Sequence, residues 1–302
     1  MAVWLDEVAG EERLLLRGHA ACAGCGPAIN IRHVLGALAA AKPGTKTVLV
    51  IPASCWTIIA GIWPANAFRV AVHLAPFASA ASEAAGIKAA LRLRGLGDTN
   101  VVVWAGDGAT ADIGFAAVSA AAERNEDLIY VLNDNEAYMN TGVQKSGATP
   151  EGAWTTTTPA AAPRSGQKKD IARIMAAHGI PYVATLAAGS LPMLKDFRAK
   201  VARAAELEGF RFLHILGACP PGWRYGTSES VEITRLAVES RYFPLLAFDG
   251  GEWKITLRPK HEVPVREFLA TQGRFSHLSA DQIDSIQAHV DVRWNLFVGL
   301  ES

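Results

Sequence analysis

Cysteine is scarce in this chain, with four among 302 residues. That scarcity argues against a secreted disulfide framework, since a chain this long builds its own core and no signal peptide is visible. Charge of either sign is not in excess. The 29 Lys and Arg balance 29 Asp and Glu, which gives no support for a nucleic-acid or membrane-surface protein. Long apolar runs are missing, so no transmembrane helix is indicated. Internal repeats and low-complexity linkers are also missing. What remains is a chain half of whose residues are apolar, enough for one large core or two closely packed lobes, and expected to be cytoplasmic.

Against this background two polar clusters stand out. The β-branched run Val101-Val102-Val103-Trp104-Ala105 ends at Gly106-Asp107-Gly108, and a second apolar run, Leu128-Ile129-Tyr130-Val131-Leu132, ends at Asn133-Asp134-Asn135-Glu136. A helical pattern from about Ala111 to Arg124 lies between them. Strand, helix and strand in this order predict a right-handed crossover in a parallel sheet, with both clusters at its carboxyl edge. Gly106 and Gly108 permit a sharp turn and a close approach to an anion, and the amides opening the next helix suit phosphate oxygens. Asp107 offers a carboxylate oxygen, Asn135 an amide oxygen and Ala137 a backbone carbonyl. These are three ligands for Mg²⁺, with diphosphate oxygens and water completing the octahedron. Residues 109 to 134 separate Gly108 from Asn135, matching the thiamine-diphosphate motif of a GDG followed about 26 residues later by Asn.

The cysteines form the second signal. Cys22-Ala23-Gly24-Cys25 is a tight CxxC, Cys55 lies thirty positions further on, and Cys219 precedes Pro220-Pro221-Gly222. Four soft ligands suit a tetrahedral zinc or an iron–sulfur cluster. A CxxC redox pair and inert buried thiols are the plainer alternatives.

Together these segments resemble the beta, thiamine-diphosphate-binding subunit of the 2-oxoacid:ferredoxin oxidoreductases, the family of pyruvate synthase. The likeness runs through residues 18–26, through Gly106-Asp107-Gly108-Ala109-Thr110-Ala111-Asp112-Ile113-Gly114 and through residues 133–142. It continues in Ala148-Thr149-Pro150, Thr155 to Pro159 and Gly273-Arg274-Phe275. The resemblance implies a doubly wound, mostly parallel α/β sheet with helices on both faces, carrying an N-terminal cluster-binding loop and a C-terminal tail. The corresponding division is a cofactor domain over residues 1–247 and an extension over 248–302. It further implies Mg²⁺ on Asp107, Asn135 and Ala137, with Gly106, Gly108, Ala109 and Thr110 along the diphosphate. Asn140, as a catalytic residue, and Thr141 would face the thiazolium and substrate. A [4Fe–4S] cluster would sit on Cys22, Cys25, Cys55 and Cys219, with Cys55 and Trp56 also touching the cofactor, although Trp56 equally suits packing.

The implied activity is thiamine-dependent oxidative decarboxylation of a 2-oxoacid. Electrons would leave through iron–sulfur clusters to ferredoxin, and coenzyme A would take any acyl product. No glutamate stands out as the cofactor-activating residue: Glu83 reads as a helix-surface charge and Glu136 as a loop-orienting group. The chain is therefore expected to supply the diphosphate half of a site, with a pyrimidine-binding alpha subunit supplying the other half. Gamma and ferredoxin-like delta subunits would complete the assembly, since no CxxCxxC run occurs here. Pyruvate is the default substrate. Ala78, where pyruvate enzymes usually carry an acid, keeps oxalate, branched-chain and aryl 2-oxoacids open, and oxalate would need no coenzyme A. The competing reading is a non-redox thiamine decarboxylase or carboligase with a structural zinc.

Other residues have plainer readings. His19 could tune the cluster or make a structural hydrogen bond; His73 reads as a satisfied, partly buried histidine. His33, His178 and His289 sit in helical patterns without chemistry, and Lys168-Lys169 read as a solvated helix start. The dispersed tryptophans suit packing and subunit contacts. A final helix, Ala280 to Leu300, is expected to be capped by Ser279.

Overall fold

The computed structural model describes residues 14–61 and 65–301. Residues 1–13 and 62–64 of the expected cofactor domain lie outside these residues. Eight strands form one sheet: β1 (Thr47–Pro52), β2 (Ala71–Ala75), β3 (Asn100–Gly106), β4 (Leu128–Asp134), β5 (Tyr182–Leu186), β6 (Phe210–Leu216), β7 (Leu245–Asp249) and β8 (Glu252–Leu257). Their order is β2-β1-β3-β4-β6-β5-β7-β8. The first six pair in parallel and the last two add antiparallel strands at one edge. The predicted fold class is correct.

Alternation along the central strands sends side chains to opposite faces. Val102, Trp104, Ile129, Val131, Leu213 and Ile215 meet Ile31, Val34, Leu35 and Leu38 of α1 (Gly26–Ala41) on one face. Val101, Val103, Ala105, Leu128, Tyr130 and Leu132 meet alanine-rich helices on the other. Those helices are α3 (Ala80–Leu93) and α4 (Phe115–Glu123), which follow the short α2 (Cys55–Ile59). Ala81, Ala84, Ala121 and Ala122 have side chains short enough to bring these helices close to the sheet.

Three boundaries differ from the sequence reading. The expected helix from Ala111 is divided: a π-helical turn spans Gly108–Asp112, and α4 begins only at Phe115. At Gly114 a Cβ would overlap the Ala109 carbonyl oxygen, so glycine permits this wide turn. The expected division at 247/248 falls inside β7, which joins the main sheet through β5. The sequence reading places no strand over β2, an edge strand whose short run Ala71-Val72-His73-Leu74-Ala75 is interrupted by His73 and mostly exposed.

The final helix runs Ala280–Leu300 with the anticipated Ser279 cap, completed by Gln282 into a capping box. Its Ile286 and Val290 pack against the segment around Phe268 and Phe275, while Trp294 and Phe297 pack on Leu246 and Ile255. No helix among the described residues is long and apolar enough to cross a membrane.

Candidate active site

Gly106 is in register with Asn133, so the polar ends of β3 and β4 leave the sheet side by side. β1 lies on the other side of β3 and delivers Ala53, Ser54 and Cys55 to the same edge. The chain reverses its order across the sheet between β1 and β3, the place where open α/β sheets form a ligand crevice. A cavity of about 300 Å³ opens there, lined by Ser54, Cys55, Thr57, Phe77, Gly106, Asp107, Gly108, Asn135, Ala137, Tyr138, Met139, Asn140 and Thr141. Residues expected separately for the metal, the diphosphate and the substrate therefore share one wall.

Asp107 is 3 % exposed and borders this cavity. The Asn135 side-chain amide places one terminal atom 3.3 Å from Asp107 Oδ1 and 2.8 Å from the Ala137 carbonyl oxygen. Turned one way, that atom is a nitrogen donating to both oxygens. Turned the other, it is a third oxygen facing two others, an arrangement a cation must bridge. An octahedral ion with ligands at about 2.1 Å sets neighbouring oxygens about 3.0 Å apart, so the spacing fits Mg²⁺. The electrostatics point the same way. Burial first, and then the Asp134 charge, push the Asp107 carboxyl well above its usual range. A carboxylate held ionised here calls for a positive partner.

Asp107 and Asn135 are fixed from behind. The Ser146 hydroxyl donates to Asp107 Oδ2, leaving Oδ1 toward Asn135. Trp223 Nε1 donates to the Asn135 carbonyl at 2.8 Å. Between the expected ligands Asn135 and Ala137, Glu136 adopts a left-handed backbone, φ 67°. Its fully buried carboxylate receives Lys168 Nζ at 2.5 Å, an Arg274 guanidinium nitrogen at 2.6 Å and the Tyr242 hydroxyl at 3.0 Å. Burial opposes ionisation, but the Lys168 and Arg274 charges prevail and bring the Glu136 carboxyl down to about 2. Glu136 thus orients the loop, as expected. Lys168 does not lie on a solvated helix start; its side chain is 12 % exposed and closes this ion cluster.

The four thiols lie near enough to influence one another's ionisation, and Cys55 alone of them lines the cavity. Gly26 N donates to the Ala218 carbonyl at 3.0 Å, tying the CxxC turn to the segment leading into Cys219. Gly24 (φ 69°) sits so close to Thr227 that a Cβ would overlap its carbonyl oxygen, and a Cβ on Gly26 would crowd Ala218. Burial first, and then Cys55 and Cys22, push the Cys25 thiol up to about 11. Burial, with all three other thiols adding to it, pushes Cys219 up to about 12. Cys55 also shifts upward through burial and Cys22. Among the described residues, no three His, Cys, Asp or Glu side chains form a group that could hold a metal ion.

Several expected contacts fall elsewhere. Trp56 is 3 % exposed and packs against Phe68 and Trp104 in the core, so its ring does not line the cavity. The Thr110 hydroxyl points back to the Gly106 carbonyl, 2.8 Å away, and to Tyr130, and Ala109 is buried beneath the turn. Neither residue borders the cavity, which the turn reaches only through Gly106, Asp107 and Gly108. The Thr141 hydroxyl is bonded to Gln144. His73 is exposed rather than partly buried, paired with Glu83 at 2.5 Å. Glu83 is also bonded to Ser79, and among the described residues no glutamate lines the cavity. Ser146 and Trp223 gave no motif in the sequence, because their partners lie 39 and 88 residues away.

Comparison with known proteins now decides the family. Residues 59–215 match the thiamine pyrophosphate enzyme, C-terminal TPP binding domain. The chain is 44 % identical to the ketoisovalerate oxidoreductase subunit VorB of Pyrococcus furiosus, over 92 % of this chain and 90 % of that one. It is also 44 % identical to the pyruvate synthase subunit PorB of Methanothermobacter marburgensis, over 93 % and 96 %. The chain belongs to the beta-subunit family of the 2-oxoacid:ferredoxin oxidoreductases. It is an oxidoreductase subunit with a thiamine-diphosphate-binding domain. A 2-oxoglutarate:ferredoxin oxidoreductase from Magnetococcus marinus, solved with 2-oxoglutarate, coenzyme A and succinyl-CoA bound, shares the fold. Its TM-score is 0.59 at 21 % identity, over 96 % of this chain and 90 % of that one.

Proposed function

We propose that this subunit holds Mg²⁺–thiamine diphosphate for the oxidative decarboxylation of a small aliphatic 2-oxoacid, with a [4Fe–4S] cluster on Cys22, Cys25, Cys55 and Cys219 receiving electrons bound for ferredoxin. The observation that carries the reading is the Asn135 side-chain amide set between Asp107 Oδ1 and the Ala137 carbonyl oxygen, on the wall of the cavity that Cys55 also lines. Bound there, thiamine diphosphate supplies an electron sink for the departing carboxylate, and the cluster accepts single electrons.

The chain's own residues have distinct tasks. Asp107, Asn135 and the Ala137 carbonyl would hold the ion, and the turn Gly106-Asp107-Gly108 on the cavity wall would receive the diphosphate. Asn140 and Thr141 border the space for thiazolium and substrate, with Phe77, Tyr138 and Met139 giving it apolar walls. Four thiolates are soft ligands of the kind an iron–sulfur cluster takes, and their use for a cluster here rests on the family's redox chemistry. Among the described residues no glutamate borders the cavity, and the reading assigns the pyrimidine-activating carboxylate to a partner alpha subunit of a hetero-oligomer, as the names of the relatives as subunits support.

Pyruvate is the first substrate to test and 2-oxoisovalerate the second, since the pyruvate and ketoisovalerate relatives are equally similar to this chain. The assembled complex should be purified anaerobically, analysed for iron and zinc, and assayed for viologen reduction with a panel of 2-oxoacids, with and without coenzyme A. Iron, retained thiamine diphosphate and coenzyme A-dependent reduction with pyruvate or its branched homologue are expected. Zinc in place of iron, with non-oxidative decarboxylation, would establish the competing carboligase reading. Reduction by oxalate without coenzyme A would overturn the substrate assignment alone.

A further inference from the structure

Trp223 connects two loops with separate tasks. Its backbone N–H donates to the Cys219 carbonyl at 2.8 Å, closing the turn Pro220–Trp223. Its indole N–H donates to the Asn135 carbonyl, also at 2.8 Å. Pro220 and Pro221 restrict the backbone between Cys219 and Trp223, so the segment is stiff. The ring is fully buried, with the Arg274 guanidinium 3.9 Å from its centroid and Phe268 at its edge. Arg274 itself pairs with Glu136, the residue between the proposed ligands Asn135 and Ala137. At Gly222 a Cβ would overlap the Met139 sulfur and come within 3.3 Å of the Cys219 sulfur, so the two loops also touch directly.

We propose that Trp223 is a positioning residue through which occupation of the cysteine site governs the grip on Mg²⁺–thiamine diphosphate. A displaced Cys219 carries the rigid turn with it, the indole N–H leaves the Asn135 carbonyl, and the metal loop loses the bond that fixes its height above the sheet. Coupling between two binding sites is reciprocal, so the bound cofactor also holds the Cys219 loop in its cluster-bearing position. The inference rests on the cofactor assignments proposed above.

A double-mutant cycle on the anaerobically purified complex tests it. Trp223→Phe keeps a ring over Arg274 and deletes only the N–H; Cys219→Ser deletes a cluster ligand. The readouts are the calorimetric Kd for Mg²⁺–thiamine diphosphate, iron content and the visible spectrum of the cluster. Loss of one hydrogen bond predicts a Kd about fivefold weaker in Trp223→Phe, at unchanged iron content. Cys219→Ser is expected to weaken binding similarly, and the double variant no further, since both changes break the same connection. If the Cys219→Ser complex does not assemble, iron removal by chelation from the wild-type and Trp223→Phe complexes replaces it. Wild-type affinity in Trp223→Phe, or single effects that multiply in the double variant, would overturn the proposal. A wild-type complex binding neither iron nor the cofactor would overturn the functional reading itself.

Discussion

Replacing Asp107 by Asn probes the metal site with little change of shape. The amide retains an oxygen to accept from Ser146 and a polar atom facing Asn135, but removes the only charge among the three proposed ligands. Deleting one member of a buried charge pair costs about 3–5 kcal/mol. The lower end applies here, because the ion keeps Asn135, the Ala137 carbonyl and the diphosphate. About 3 kcal/mol corresponds to somewhat more than a hundredfold loss of Mg²⁺–thiamine diphosphate affinity, measurable by calorimetry on the assembled complex. The metal-free protein should respond in the opposite sense. Burial and Asp134 raise the Asp107 pKa in the folded state, so the folded chain binds that proton more tightly than the unfolded one. Metal-free stability therefore falls as pH rises above the unfolded value of about 3.9 and through the raised folded value. Asp107→Asn removes this penalty and should melt no lower than wild type at neutral pH without Mg²⁺, yet gain much less when Mg²⁺ and cofactor are added. Near-normal cofactor affinity, or a metal-free variant clearly less stable than wild type, would refute the assignment of Asp107 as a cation ligand.

Four further outcomes follow from the same geometry. Ser146→Ala, which frees the second Asp107 oxygen, should weaken metal affinity about 10- to 100-fold while leaving the far-ultraviolet circular dichroism unchanged. Gly24→Ala places a Cβ against the Thr227 carbonyl at a left-handed position, and iron analysis should show loss of the cluster from a chain that still folds. Asp127 is held below its usual carboxyl range: burial opposes ionisation, but Lys88 and Arg211 outweigh it. Its stabilisation is present above about pH 4 and lost as pH falls through the depressed folded value, so Asp127→Asn should flatten the acid limb of a melting-temperature profile and cost about 3 kcal/mol near neutrality. Trp56→Phe should cost about 1–2 kcal/mol of stability through lost core contact and leave calorimetric cofactor affinity unchanged, whereas a large affinity loss would restore Trp56 to the cofactor site.

Legibility in the sequence followed the range of the interactions. Val101–Ala105 and Leu128–Leu132 are unbroken apolar runs because both faces of their strands are covered, and they announced the parallel sheet. Gly106-Asp107-Gly108 and Asn135 were readable because one crossover fixes their spacing. The split of the expected helix at Gly108–Asp112 was hidden, since alanine-rich sequence suits both the wide turn and the helix after it. Trp56 and Thr110 were misplaced because adjacency to a site residue does not determine which way a side chain points, and theirs point into the core and back along the turn. Lys168 read as solvated because its partner Glu136 lies 32 residues earlier.

The sequence alone thus determined the central parallel strands, the two polar strand ends proposed to hold the metal, and the presence of four thiols, since each depends on local periodicity or on residue chemistry at a fixed separation. Only the tertiary structure decided what holds these groups in register: Ser146 behind Asp107, Trp223 on the Asn135 carbonyl, and Lys168 with Arg274 around Glu136. Those bonds join segments up to 138 residues apart, and their strength comes from burial, which no stretch of sequence carries by itself.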